Sequence, residues 1–350
     1  MKETNVDLQK IHAAVDAILN SVDFNGLFPG FHKYRFALYT SEEIILDGKI
    51  VPHQDGFRGN TAILYEGEYI AIWNVEFDPI DDPERLAYLL VHEMFHCHQC
   101  ANKESRYPSD LELLNYPDDA ENFVNKYNED RFLADAYEAH DAELLRKFAF
   151  VREIRYKMYP SMVRQELKAE TLEGMAEYIG LKALRCINAG KYHAIVKDYL
   201  GKLRAQDNLL FDIRRISYFT GTIFFLCLEQ FGFPVNDSFD SEKTAYEQTH
   251  IDITGVTAEI LPYDFILDNY NKLRQEKSAT VKEHIKHGKY IQCNGVICGY
   301  DPMNMFRVED VVFCSHFVSI CENGVTMTIN SAVALKLAEG SNQSIVGYYI

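Results

Sequence analysis

Three residues in one short stretch have the types and spacing to bind a metal ion and activate water: His92, Glu93 and His96, in His92-Glu93-Met94-Phe95-His96. On an α-helix, residues four apart lie one above the other, so His92 and His96 can turn ring nitrogens toward a single ion. Glu93 then stands beside that ion without ligating it, placed to act as a base on a water held there. Zinc with two His ligands and an open coordination position is the expected occupant. In a chain of 350 residues with 12 His, this pattern arises by chance only roughly 0.03 times, which makes it worth testing against its surroundings.

The surroundings predict the helix that the pattern needs. Asp82 suits the N-cap, Pro83 the first helical position and Glu84 the positive helix end, while Leu86, Leu89 and Leu90 give an apolar stripe through Cys100. The other half of a metal site is sought downstream, on a helix expected over Met162–Ala189 with Gly190 as its C-terminal cap. Within it Glu166, Glu170, Glu173 and Glu177 recur every three or four residues, a pattern that also describes an ordinary solvated face. In Glu173-Gly174-Met175-Ala176-Glu177 the small residues beside Glu173 allow close approach to another backbone. Glu177, one turn on, is placed to accept a hydrogen bond from the free ring nitrogen of a ligating His.

Together, His92–His96 and Glu173-Gly174-Met175-Ala176 resemble the gluzincin group of zinc metallopeptidases, which includes thermolysin-like enzymes and zinc aminopeptidases. The resemblance implies zinc held by His92, His96 and Glu173, with Glu177 supporting His92. Tyr218-Phe219-Thr220-Gly221 is similar to the Tyr-x-x-Gly helix of gluzincin aminopeptidases, which implies that Tyr218 hydrogen-bonds the oxyanion. A phenol in a dry site suits that role, although Tyr218 also fits as a core aromatic of a buried helix. No counterpart of the aminopeptidase motif that holds a free amine is found. The resemblance covers roughly Gly59–Gly232, and the 77 positions between His96 and Glu173 exceed the spacing in many gluzincins because a long helix, expected over Asn128–Met158, is inserted.

The remaining chain predicts an α+β protein with a mostly helical, zincin-like core. An N-terminal helix over Val6–Val22 precedes an antiparallel sheet of hairpins: Tyr34–Tyr39, Glu43–Leu46, Lys49–Val51, Thr61–Tyr65 and Tyr69–Trp73. A sheet leading into the zinc helix can offer an edge strand to an extended peptide. Ile266–Gln275 reads as helical, and Tyr290–Cys298, Val311–Cys321 and Val325–Ile329 as strands of a small C-terminal β-rich module. The expected organisation is 1–80 for the N-terminal helix and sheet, 81–285 for the helical zinc-binding region and 286–350 for the β module.

Composition limits the partners. A formal charge of −17 argues against nucleic acid, and no apolar run is long enough to span a membrane. The polar start, Met1–Asp7, lacks the apolar core of a signal peptide, so a cytoplasmic location is expected. The eight Cys lack the spacing of a disulfide framework, and Cys97-His98-Gln99-Cys100 has no second Cys pair to complete a structural zinc site. The expected function is zinc-dependent hydrolysis of peptide bonds in a peptide or protein substrate, with Glu93 as general base. A metal-binding interaction protein on the same scaffold and a zinc hydrolase of a non-peptide amide are compatible with the same residues.

Overall fold

The computed structural model describes residues 7–117, 119–235, 239 and 241–350. Most of the polar N-terminal stretch, residues 1–6, lies outside them, as does Asp118. The architecture is α+β, as expected. The chain forms two compact units, each drawn from separate stretches. The first takes the chain up to Tyr107 together with Glu170–Gly201 and Tyr218–His250; the second takes Pro108–Ala169, Lys202–Ser217 and Ile251–Ile350. The units therefore do not follow contiguous boundaries at 80 and 285. Leu111 shows one reason: it packs into the core of the C-terminal sheet with Val312, Ile320 and Leu335.

In the first unit, strands β1 (Phe36–Tyr39), β2 (Glu43–Leu46), β3 (Lys49–Pro52), β4 (Thr61–Tyr65) and β5 (Glu68–Asn74) form a sheet in the order β3-β2-β1-β5-β4. Hairpins turn at Asp47-Gly48 and Glu66-Gly67, where both residues of each pair have positive φ, the geometry that matches strand twist. The sheet is mixed rather than antiparallel, because β1 and β5 run parallel, with Phe36 opposite Ala71 and Leu38 opposite Trp73. The chain reverses at each step from β1 to β5, three times through a hairpin and once between β3 and β4, and this even number of reversals returns it to its original direction. Ile70, Ala71, Ile72 and Trp73 of β5 are all buried, as a central strand with both faces covered requires.

The helix carrying the His pair spans Pro83–Ala101. Asp82 caps it, its carboxylate accepting from the backbone N–H of Glu84 at 3.0 Å. Lys191 reaches Asp82 and Glu84 at 2.5 and 2.6 Å. Leu86, Leu90, Val91, Met94 and Phe95 are fully buried, so this helix is a central element and not a surface one. The expected helix over Met162–Ala189 is instead three segments: an α-helix Pro160–Ala169, a π-helical turn Glu170–Gly174 and an α-helix Met175–Ile187. Gly190 is not a cap but lies inside the next helix, Ala189–Leu203, because Asn188 accepts from Lys191 N–H at 3.1 Å and starts a new helix there.

In the second unit, the helix expected over Asn128–Met158 is two, Ala120–Ala139 and Ala142–Met158. His140 takes a left-handed conformation (φ 52°) and Asp141 caps the following helix through Glu143 N–H at 2.8 Å, so the break needs neither Gly nor Pro. The C-terminal sheet has seven strands: β6 (Tyr290–Tyr300), β7 (Met305–Val308), β8 (Val311–Cys314), β9 (Val318–Glu322), β10 (Val325–Ile329), β11 (Val333–Leu337) and β12 (Ser344–Tyr349). Its order is β10-β9-β6-β12-β11-β8-β7. Val311–Cys321 is thus two strands rather than one. The helix foreseen over Ile266–Gln275 extends over Asp264–His287 and packs Val281 against Val311, Phe313 and Ala334. Among the described residues no helix is long and apolar enough to cross a membrane.

Candidate metal centre

Helical spacing and the π turn bring three metal-binding side chains of the first unit to one point. The Nε2 atoms of His92 and His96 are 3.0 Å apart. Glu173 Oε2 lies 3.2 Å from His96 Nε2 and 3.6 Å from His92 Nε2. Ligands about 2.0–2.1 Å from a tetrahedral zinc stand about 3.3 Å from one another, so the three separations bracket the edge length that such an ion imposes. Two imidazole nitrogens and one carboxylate oxygen also make a donor set that suits zinc.

The outer nitrogens of both rings are already committed. His92 Nδ1 donates to Glu177 Oε2 at 2.8 Å, and Tyr199 OH donates to Glu177 Oε1 at 2.6 Å. His96 Nδ1 lies 2.7 Å from Gln99 Oε1, while Gln99 Nε2 donates to the Leu172 carbonyl at 3.0 Å. That second bond orients the Gln99 amide, so the oxygen faces His96 and the proton must sit on His96 Nδ1. With both Nδ1 atoms protonated, neutral rings turn two Nε2 lone pairs toward each other and toward a carboxylate. Such a convergence of acceptors calls for a cation. Burial opposes charge on His92, but the neighbouring carboxylates of Glu173 and Glu177 outweigh that and raise its pKa well above the ordinary value, which registers the same local demand for positive charge.

The π turn places Glu173. Gly174 and Gly221 meet backbone to backbone: a Cβ on Gly174 would lie 2.6 Å from Gly221 Cα, and one on Gly221 would lie 2.5 Å from the Glu170 carbonyl oxygen. The small residue beside Glu173 therefore serves the close approach that its position suggested. Gly221 belongs to the helix Ile213–Gln230, which also carries Tyr218. The Tyr218 ring is parallel to that of His92, with centroids 6.1 Å apart and planes 2° from parallel. Gly221→Ala is expected to destabilise the protein by about 1–3 kcal/mol, because neither backbone can swing aside, and to weaken zinc binding through displacement of the Glu170–Gly174 turn. Urea unfolding and a zinc-chelator competition read the two effects separately; a wild-type midpoint and affinity would contradict the close-packing account.

Glu93 is buried at 8% exposure. Burial raises its pKa, against the opposing pull of His92 and His96. His98 is turned away from the site: it lies among Phe28, Phe31, Phe95 and Phe239, with ring centroids 5.4 to 5.7 Å away. Burial, with His32 nearby, lowers its pKa to about 4. Cys97 is a buried free thiol and Cys100 a partly buried one. Glu166, in phase with Glu173 by spacing, instead joins a buried charge cluster of the second unit.

The structure thus brings together His92, Glu93, His96, Glu173, Glu177 and Tyr218, all singled out from sequence. Gln99 and Tyr199 were not. Gln99 sits three residues after His96 and so shares its helical face, a readable signal. Tyr199 lies 22 residues from Glu177 on a different helix, and nothing local marks it. No family model matches the chain, and comparisons with curated proteins and with solved structures give no match.

Proposed function

We propose that this protein is a zinc-dependent hydrolase of gluzincin type that cleaves peptide bonds. The observation that carries the reading is the meeting of His92 Nε2, His96 Nε2 and Glu173 Oε2 within 3.6 Å while both Nδ1 atoms are held elsewhere. Zinc, when bound, supplies a Lewis acid that polarises a carbonyl and makes water more acidic. Glu93 accepts the proton of the attacking water on its carboxylate and delivers it to the departing amine; burial lifts its pKa toward the working range of such a base. Tyr218 donates its phenol proton in a hydrogen bond to the carbonyl oxygen as charge develops there. Glu177, itself held by Tyr199, keeps His92 in one tautomer and one orientation. Gln99 does the same for His96 and ties it to the backbone next to Glu173.

A peptide suits the surroundings. Strand β4 ends the first sheet and, among the described residues, pairs only with β5. Its outer edge offers backbone donors and acceptors to an extended chain.

Elemental analysis of the purified protein and of Glu173→Ala tests the metal assignment. The expected result is about one zinc per chain in the wild type, lost or strongly reduced in the variant, since removing one of three protein ligands leaves only the His pair. Metal-replete wild type without zinc, or full occupancy in the variant, would overturn it. Cleavage of a mixture of quenched fluorescent peptides, abolished by chelation and restored by zinc, is the expected sign of the activity.

A further inference from the structure

The second unit contains an open cleft of 1520 Å³, larger than the roughly 300–1,000 Å³ typical of small-molecule sites and of a size for a length of polypeptide. Its charge runs against that of the chain. Among the described residues, Arg214, Arg215, Arg274, Lys277, Lys282 and Arg307 line it against four acidic residues, Asp110, Asp207, Asp212 and Glu309, whereas the whole chain has 35 basic and 52 acidic residues. Two of these carboxylates cancel two of the six cations, so the described lining keeps a formal excess of two positive charges. Asp110 pairs with Arg214 at 3.0 Å, Asp212 with Arg215 at 3.5 Å, and Asp207 accepts from Leu209 N–H at 2.9 Å.

One wall is the helix Asp264–His287, which presents Arg274, Lys277 and Lys282 to the cleft. Arg274 lies over the Tyr270 ring and Lys277 over the Phe306 ring, each 5.6 Å from the centroid, so cationic and aromatic surfaces alternate. Another wall is strand β7, the last strand of its sheet, which among the described residues pairs only with β8. An edge strand beside a helix face that carries Arg274, Lys277 and Lys282 fits an extended acidic chain, whose backbone can pair with the strand while its carboxylates meet that face. Nucleic acid gains nothing from a strand edge and is repelled by the net charge of −17.

We propose that this cleft binds an extended acidic peptide segment of a partner protein, with Glu or Asp interspersed among aromatic and aliphatic residues. From Arg274 to Lys282 the helix rises about 12 Å, the span of about four extended residues. Carboxylates spaced about four residues apart therefore match the helix.

The test is fluorescence anisotropy with the full chain and a labelled peptide of about twelve residues, with Glu at every fourth position and Phe or Leu between. Its Glu→Gln analogue and a labelled oligothymidylate of similar length are run beside it. The expected result is saturable binding of the acidic peptide that weakens with salt, at least about tenfold weaker binding of the Gln analogue, and a comparable loss in the Arg274→Glu/Lys282→Glu variant. Both substituted residues are exposed, and a thermal melt confirms that the variant is folded. Absence of saturable binding, equal binding of the Gln analogue, wild-type affinity in the variant, tighter binding of the oligothymidylate, or displacement by millimolar inorganic phosphate alone would overturn the proposal. Because the readout is binding in the second unit, the result stands apart from metal content and hydrolysis.

Discussion

On the proposed mechanism, Glu93→Gln is expected to lower peptide hydrolysis about a thousandfold, within the range of about 10²–10⁴ that a general base contributes, and to leave zinc content unchanged. The substitution keeps the shape of the side chain and removes only its ability to take up a proton. Glu93 adjoins His92 in sequence, but the ligand atoms that converge belong to His92, His96 and Glu173, so the metal should not register its loss. The buried side chain has a polar replacement of equal volume, and fold stability should change little. Parallel measurement of zinc by elemental analysis and of turnover on a quenched peptide that the wild type cleaves separates the roles. Turnover within about threefold of wild type would remove Glu93 from the mechanism, and loss of zinc would recast it as part of the ligand shell.

The largest expected stability effect lies in the second unit. Lys126, Arg152 and Arg155 meet Glu129, Asp130 and Glu166, all six at 0% exposure. Glu129 accepts from Arg152 and Arg155, each at 2.6 Å; Glu166 accepts from Arg155 at 2.6 Å and lies 3.0 Å from Lys126; Asp130 accepts from Lys126 at 2.7 Å. Tyr116 donates to Glu166 at 2.6 Å. Arg155 serves two carboxylates, so Arg155→Met leaves both short of a partner in a dry interior. The expected loss is about 3–5 kcal/mol, read as a lower urea midpoint with an unchanged slope. A loss below about 1 kcal/mol would show that water or side-chain movement replaces the guanidinium.

The same cluster predicts acid sensitivity. Burial alone would raise the pKa of Glu129 and Glu166, but Arg152 and Arg155 outweigh it for Glu129, as do Arg155 and Lys126 for Glu166, and both are lowered. A carboxylate with a folded pKa below its unfolded value of about 4.3 stabilises the fold above that value and loses the contribution as pH falls toward the folded pKa. Stability of the wild type is therefore expected to drop below about pH 4. Asp130 acts in the opposite sense, since burial raises its pKa to about 6 despite Lys126, and its ionisation costs stability as pH rises from about 4 to 6.

The candidate site was legible where chemistry follows from local periodicity. Four-residue spacing puts His92 and His96 on one face whatever the helix packs against, and Asp82-Pro83 starts that helix by local hydrogen bonding alone. The hairpins at Asp47-Gly48 and Glu66-Gly67 were legible for the same reason, since backbone conformation at a two-residue turn depends on the residues in it. What failed were features set by partners distant in sequence. The break at His140 and Asp141 lies in a stretch without Gly or Pro, where capping by a side chain replaces the usual signals. The π turn at Glu170–Gly174 widens the helix where Gly174 meets Gly221, 47 positions away, and no propensity within the helix announces it.

Sequence by itself determined the pair of imidazoles on one helical face, the adjacent carboxylate and a candidate third carboxylate, because those follow from residue type and helical repeat. Only the tertiary structure decided that Glu173 reaches the pair while Glu166 enters a buried ion cluster elsewhere, although the two lie seven residues apart on the same stretch of chain. It also decided that Gln99 and Tyr199 lock the two rings, and that β1 and β5 lie parallel. These outcomes depend on which backbones can approach within van der Waals contact and which polar groups must find a partner once water is excluded. Both are properties of packing between separated segments, so no local pattern encodes them.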